Sequence, residues 1–383
     1  MDFTLTEEQQ LLRRTVHEFA VRELEPGARE RDADEKFDPE LYRRVAGLGL
    51  LGLGIPPEHG GGGGGLVETA IATEELSRSD PSMALSAMVS LSLCAAPIER
   101  FGTDRHRERY VPALARGEAI GAYAQSEPNA GSDAGAIATT AVRRDGNYVL
   151  NGGKIFISNA DVADTIIVIA SQDPSQRTHG MVALIVESGT PGLTARKQRD
   201  KLGMRGSSTA ELFFEDCPVP VENRIGEEGE GFKIAMQTLE ASRPIIGAQA
   251  LGIAQGCLDL ALKHTQQRRQ FGQAIADFQG VQWMLADMAT QIDAARLLVY
   301  RAASLRDHGH SSAKEASMAK LFASETAMKV ASTALQLHGG YGYFKESPVE
   351  RYFRDAKVTE IYEGTSQIQR LVIARQLLAE VIT

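Results

Sequence analysis

Cysteine is scarce in this chain, three in 383 residues, and Cys94, Cys217 and Cys257 are scattered and odd in number. Such a set builds no disulfide framework and has no metal-ligand spacing, which suits a reducing cytoplasm. No run of about 18 apolar residues stands out, so no membrane span is expected. The opening Met1-Asp2-Phe3-Thr4-Leu5-Thr6-Glu7-Glu8 is acidic and does not read as a signal peptide. A basic excess is missing too. The 41 Lys and Arg stand against 50 Asp and Glu, a net charge of −9, the wrong sign for a protein whose main partner is a phosphate backbone. G-x-S-x-G and H-E-x-x-H are both absent, which leaves hydrolase chemistry without support.

What is present is apolar substance, 43% of the residues, in a length that suggests two or three domains of roughly 100–200 residues each. Three textures follow one another. Residues 1–118 read as a helical domain. Thr6 and Gln9 form a capping-box pair ahead of Leu11, Leu12, Val16, Phe19 and Ala20, which are expected to share one helical face. Gly60 to Gly65 is an unbroken glycine run, expected to be a mobile loop between helices. Residues 119–230 carry short β-rich runs, with Asp145-Gly146 as a hairpin signal between two of them, and read as a small, mostly antiparallel β domain. Residues 231–383 return to long helical patterns, Phe232 to His264, Gln279 to Arg306 and Ala313 to His338, expected to pack as a bundle. The fold class is α+β: helical domain, antiparallel β domain, helical bundle.

Two patterns are decoys. Gly47-Leu48-Gly49-Leu50-Leu51-Gly52 matches the dinucleotide fingerprint, but a helix-like segment precedes it and Pro56-Pro57 follow where a binding helix should run. His308-Gly309-His310 has no third ligand nearby and reads as a solvated loop, so no metal is expected.

Five segments carry chemistry. Tyr123-Ala124-Gln125-Ser126-Glu127-Pro128-Asn129-Ala130-Gly131-Ser132-Asp133 leads a strand into a loop dense in hydroxyl, amide and backbone donors, able to hold a phosphate or the polar edge of a ring system. In Asn151-Gly152-Gly153-Lys154-Ile155-Phe156-Ile157-Ser158-Asn159, Phe156 can stack on an aromatic cofactor and Ser158 can hydrogen-bond it. Arg268-Arg269-Gln270-Phe271-Gly272, with Gln279 beyond, offers a guanidinium fork suited to pyrophosphate. Gln336-Leu337-His338-Gly339-Gly340 is a helix end where glycines permit close approach. Ile361-Tyr362-Glu363-Gly364-Thr365-Ser366-Gln367-Ile368-Gln369-Arg370 sets one carboxylate between an aromatic residue and a glycine at the lip of a helix that Thr365 can cap. A Glu in apolar surroundings has a raised pKa and can take a proton near neutral pH. Each segment alone also reads as an ordinary helix start, strand–turn junction or piece of core.

Together, in this order and spacing, the five resemble the acyl-CoA dehydrogenase family of flavoenzymes, from Phe3-Thr4-Leu5-Thr6-Glu7-Glu8-Gln9 to Gln369-Arg370-Leu371. The resemblance implies bound FAD and a homotetramer. It implies flavin contacts at Tyr123, Gln125, Ser126, Ser132, Phe156 and Ser158, and at Gly364, Thr365 and Gln367. Arg268, Gln270 and Phe271 resemble residues that reach the FAD of a neighbouring subunit, and Gln279, Gln336, Gly339 and Gly340 match further FAD contacts. Ser132 also matches a CoA contact, and Arg243 matches the arginine by the thioester end. Glu363 matches the catalytic base. Some members carry that base just before the arginine instead; here that position is Ser242, and Glu240 is displaced from it by two residues and points off the face. The ring beside the flavin is often Trp, and here it is Phe156.

The implied reaction is removal of the α-proton by Glu363 while the β-hydrogen leaves as hydride to the flavin, the thioester carbonyl being polarised by the Glu363 N–H. Electron-transferring flavoprotein is the implied acceptor. The substrate side is expected to include Leu85, Ser86 and Val89 as the acyl floor, with Glu240 and Tyr362 beside Arg243. Members that grip a distal carboxylate carry Arg at the position of Leu85, so a plain acyl-CoA of short to medium length is expected. An enoyl-CoA reductase running the same site in reverse fits these residues equally. A flavin-dependent oxidase and a non-catalytic or nucleic-acid-associated relative are further alternatives, and Glu363 and the acidic charge speak against the last.

Overall fold

The computed structural model describes residues 4–380; Met1 to Phe3, with the Phe3 from which the resemblance was read, and 381–383 lie outside the described residues. Thr6 opens the first helix, Glu7–Phe19, with both capping-box bonds made: its hydroxyl accepts from the Gln9 N–H at 3.2 Å and its own N–H donates to the Gln9 amide oxygen at 3.1 Å. Val16 and Phe19 are buried and Leu12 packs partly against the core, but Leu11 is 57% exposed. One residue is a 100° turn of the helix, which carries Leu11 off the stripe that Leu12, Val16 and Phe19 share. The glycine run is not a loose loop. Gly62 N–H donates to Gly52 at 2.9 Å and Gly63 N–H to Ile55 at 3.0 Å, and a Cβ on Gly61 would lie 2.1 Å from the Ile55 carbonyl. The fingerprint-like Gly47 to Gly52 follows the helix Pro39–Ala46 and ends in a 3-10 turn, Leu50–Gly52.

The middle of the chain is an eight-stranded sheet: β1 Gly121–Ala124, β2 Thr140–Arg144, β3 Asn147–Ser158, β4 Thr165–Ser171, β5 Met181–Glu187, β6 Leu193–Lys197, β7 Thr209–Pro220 and β8 Arg224–Ile225. The order is β6-β7-β3-β2-β4-β5-β8, with β1 paired to β4. The ladders are antiparallel except β1–β4 and β2–β4. Asp145 and Gly146 both take positive φ (45° and 79°) in the β2–β3 turn, the conformation a two-residue hairpin requires. Side chains alternate across the sheet. Tyr123, Ile167, Ile169, Ala183 and Ile185 face the core shared with the helices, while Ala122, Ala124, Ile166, Val168 and Leu184 line a second core on the other face. The alternation turns Tyr123 toward the helices.

Three long helices follow: Gly231–Gln267, Gln279–Asp307 and Ala313–His338. The first and third run parallel and in register. Arg243 donates to Ser317 at one end, and His264 stacks on His338 at 4.3 Å at the other. Each interval is 21 residues, about 31 Å of helix. Gly247 lies against both neighbours: a Cβ there would be 2.9 Å from Val299 of the second helix and 3.5 Å from the Ala319 backbone of the third. Contrary to the reading of the sequence, two helical stretches, Pro81–Phe101 and Gly231–Gln267, are long and apolar enough to cross a membrane by composition alone. Both lie mostly in the interior, so their apolar character serves packing.

Candidate active site

The helix Pro348–Val358 ends in a turn, and the next helix, Ser366–Glu380, starts after Thr365, whose hydroxyl accepts from the Ile368 N–H at 3.3 Å. Glu363 and Gly364 sit in that turn with positive φ, 50° and 96°. The Glu363 side chain reaches the N-terminal part of the long bundle helix, where the Ser242 hydroxyl donates to its Oε2. Protein packs densely around the carboxyl while the residue keeps some exposure. Burial raises its pKa to about 7, against the hydrogen bond from Ser242 and the positive charges of Lys320 and Arg243. The N–H groups of Glu363, Gly364 and Thr365 have no protein acceptor among the described residues. A buried-edge carboxyl poised near neutral pH beside free donors can exchange a proton and hold a developing anion.

Other elements converge here. Tyr123, on β1, is buried, and its hydroxyl donates to Gln125 at 2.8 Å; burial first, and then the charge of Glu363, raises its pKa. Tyr362 donates to Gln249 of the long helix. Arg243 is buried with its Nε unpartnered, a donor left for a ligand. Glu240 faces Arg306 at 3.5 Å. Leu85 and Val89 are buried where the α-helix Pro81–Met88 passes into a π-helical stretch, Val89–Ala95. Ser86 differs from the expected pocket hydroxyl, because it donates to Ser207 at 3.0 Å, across to the sheet domain.

The loop after Tyr123 is stitched by a buried ion pair that the sequence did not suggest. Lys154 Nζ lies 2.7 Å from Glu127 and donates to the Gln125 carbonyl at 3.0 Å, while the Glu127 carboxylate accepts from the Ala138 and Thr139 N–H groups. Ser126 is tied through its carbonyl to Ile155, and Ser132 is exposed at the loop tip. On β3, Ser158 pairs with Thr209 and is half-buried. Phe156 has φ 61°, lies at a break in the β3–β7 register and holds its ring out, 68% exposed. That is a free aromatic face, as stacking on a flat cofactor needs.

The remaining candidates lie elsewhere. Arg268 packs its guanidinium over Tyr341 at 5.3 Å, at the far end of the parallel helices. Gln270 and Phe271 sit on a two-stranded hairpin there, with Phe271 94% exposed, and Gln279, Gln336, Gly339 and Gly340 are exposed as well. About 31 Å of helix separates this group from Arg243 and Glu363. Gly364, Thr365 and Gln367 stay with Glu363, Gln367 exposed. Two cavities of about 480 Å³ each lie away from Glu363, one beside Arg78 and Arg351, the other beside Tyr42 and Asp161.

The chain matches the acyl-CoA dehydrogenase N-terminal domain over residues 6–118, the middle domain over 122–217 and the C-terminal domain over 229–378. It belongs to the acyl-CoA dehydrogenase family. It is 50% identical to acryloyl-CoA reductase (NADH) of Anaerotignum propionicum, over 99% of this chain and 96% of that one. Butyryl-CoA dehydrogenase from Megasphaera elsdenii has the same fold at TM-score 0.97 and 45% identity, over 99% of this chain and 100% of that one. A chain from the structure of the electron transferring flavoprotein of Acidaminococcus fermentans matches at TM-score 0.97 and 48% identity, over 99% and 100%. This family member therefore has the helix–sheet–helix order read from its sequence.

Sequence reasoning passed over Lys320, Gln249, Gln369 as a buried donor, and the Ser242 hydroxyl as a partner of Glu363. Lys320 had a signal: it stands in a stripe with Ala316, Ala319, Ala323 and Ala327, all buried, where a lysine is out of place.

Proposed function

We propose that this acyl-CoA dehydrogenase oxidises short-chain acyl-CoA thioesters to the 2-enoyl thioester, with Glu363 as the base. The observation that carries the reading is the Glu363 carboxyl, raised to about 7 beside N–H groups that have no protein acceptor among the described residues. A base with that pKa is half ionised near neutral pH, where acid–base catalysis works best. The Glu363 N–H is the donor for the thioester carbonyl, and Arg243 stands beside it. Charge developing on that oxygen as the C2 proton leaves is stabilised by the fixed dipole.

The residues present fit FAD: an aromatic ring held free at Phe156, a stitched loop of donors from Gln125 to Ser132, and unpartnered N–H groups at Gly364 and Thr365. Tyr123, Gln125, Ser126, Phe156, Ser158, Gly364, Thr365 and Gln367 would hold it from within the subunit. Arg268, Gln270, Phe271, Gln279, Gln336, Gly339 and Gly340 would hold that of a neighbour in a homotetramer, since they lie at the opposite end of the bundle. When bound, FAD supplies the acceptor for the C3 hydride. Electron-transferring flavoprotein is the partner that reoxidises it, and three buried free thiols accord with a cytoplasmic setting. Leu85 and Val89 form an apolar floor with no cation, which favours a plain acyl tail.

The acryloyl-CoA reductase relative favours a second reading, the same site run toward the saturated thioester. A carboxyl near pKa 7 serves both directions, giving the C2 proton as readily as taking it. Anaerobic mixing of the purified protein with a C4 to C12 acyl-CoA series, watching flavin absorbance, tests the first reading. Bleaching with butyryl-CoA is expected. Failure with every saturated thioester, together with reoxidation of chemically reduced protein by acryloyl- or crotonyl-CoA, would establish the second.

A further inference from the structure

Lys320 is fully buried, 0% exposed, on the core face of the helix Ala313–His338. It makes no ion pair among the described residues. Its ammonium donates to one acceptor, the Gly364 carbonyl, at 2.8 Å. Placing an unpaired ammonium in an apolar stripe is unfavourable for folding, so a packing role alone does not account for it.

The same carbonyl accepts from the Gln369 amide at 2.9 Å, and that amide also reaches the Glu363 carbonyl at 3.2 Å. Gln369 is itself fully buried, and a Cβ on Gly364 would lie 2.6 Å from its nitrogen. Within a planar trans peptide, the carbonyl of one residue and the N–H of the next point in opposite directions. Drawing the Glu363 and Gly364 carbonyls inward therefore turns the Gly364 and Thr365 N–H groups outward. Two successive left-handed residues, one of them a glutamate, do not hold that shape unaided.

We propose that Lys320 is a positioning residue for the catalytic turn: with Gln369 it clamps the Glu363 and Gly364 carbonyls, keeps the turn left-handed with its N–H groups facing the ligand, and sets a positive charge behind the Glu363 carboxyl. The proposal rests on the reading of Glu363 as the base. Glu363 feels Lys320 and Arg243 and is bonded by Ser242; Lys320 feels Glu363, Arg243, Glu360 and Glu325. Burial lowers the Lys320 pKa to about 8, which leaves it charged at neutral pH, and its charge favours the ionised base.

The test uses the full-length, FAD-loaded protein. K320M should hold KM for butyryl-CoA within about threefold and slow flavin reduction about 10- to 100-fold. The acid limb of its pH profile should move up by about one unit, because the carboxylate loses a cation. Q369M loses two bonds but keeps the charge. Its rate should fall with no shift of the profile, which separates geometry from charge and decides the matter if K320M does not fold. Amide hydrogen exchange reads the turn without any turnover. The Ser366 and Gln369 N–H groups, bonded to Glu360 and Thr365, should exchange at least about tenfold faster in either variant, with the helix Gly231–Gln267 unchanged. Parental exchange in both variants overturns the clamp. A K320M profile that stays in place, or a Q369M profile that moves as far as that of K320M, overturns the division of roles. If the parent reduces with no acyl-CoA, the functional reading fails, and the exchange measurement still decides the clamp.

Discussion

At the Glu363 end of the parallel helices, charges are buried and answered within one chain: Ser242 on Glu363, Gln369 and Lys320 on the turn carbonyls, Glu127 on Lys154. At the Arg268 end the donors face outward among exposed rings, Phe271, Trp283, Tyr341, Tyr343 and Phe344. The first end has the electrostatics of a site that one subunit completes. The second leaves its donors and rings uncovered by its own chain, as the proposed sharing of a cofactor between subunits requires. Substitutions at the two ends should therefore fail in different ways.

The largest effect is expected at Glu363. E363Q should keep FAD and bind butyryl-CoA, yet lose turnover by on the order of 10²–10⁴, the usual reach of acid–base catalysis. Its assembly should match the parent by sedimentation. Parental flavin reduction in E363Q would remove the base from this end altogether. If Arg268 reaches the FAD of a neighbouring subunit, R268A should show the reverse pattern: less FAD per chain on purification, and smaller species on dilution. The ratio of flavin to protein absorbance and a dilution series check this. A fully flavinated, stable monomer of the parent would break the contrast.

Stability against pH should have opposite signs at the two ends. The folded pKa of Glu363 is about 7 and its ordinary value 4.5, so between these the folded state holds a proton that the unfolded state releases. That contribution is nil below about pH 4.5 and destabilises progressively up to about pH 7. E363Q should be more stable than the parent by about 1–3 kcal/mol at pH 8, with no advantage at pH 4. Burial lowers the pKa of both His264 and His338 from 6.5, so the stacked pair loses stability as pH falls below 6.5. Denaturant melts across pH check both signs. The smallest effect is at Val89. V89A should lengthen the best acyl chain and V89F shorten it, each methylene being worth about 0.8 kcal/mol, near fourfold in kcat/KM, while room remains. A preference for ω-carboxy thioesters would send the search to a cation away from Leu85.

Contiguous signals were the legible ones. Asp145-Gly146 dictates its hairpin locally, and the three long helices announce themselves by length; their observed starts and ends fall within three residues of the pattern. The Glu363 turn reads from its own ten residues. What stayed hidden depends on contacts far along the chain. The Ser242 hydroxyl was weighed only as a missing base, and its bond to Glu363 spans 121 positions. Lys320 meets Gly364 across 44. The strand Leu193–Lys197 lies at the sheet edge with three exposed residues in a row, so no alternation marked it. Ser86 looked like a pocket hydroxyl because Ser207, its partner, is 121 positions away.

The in-register pairing of Gly231–Gln267 with Ala313–His338 makes the bundle a ruler. Its span is set by the helical rise, and neither end can shift without the other. If each subunit completes its own base at one end and lends Arg268 and Phe271 to a neighbour at the other, every cofactor is owned jointly by two chains. A lone chain would then contain no intact centre. Total activity would fall more steeply than protein concentration on dilution, and mixed oligomers of R268A with E363Q would recover working centres that neither variant has alone.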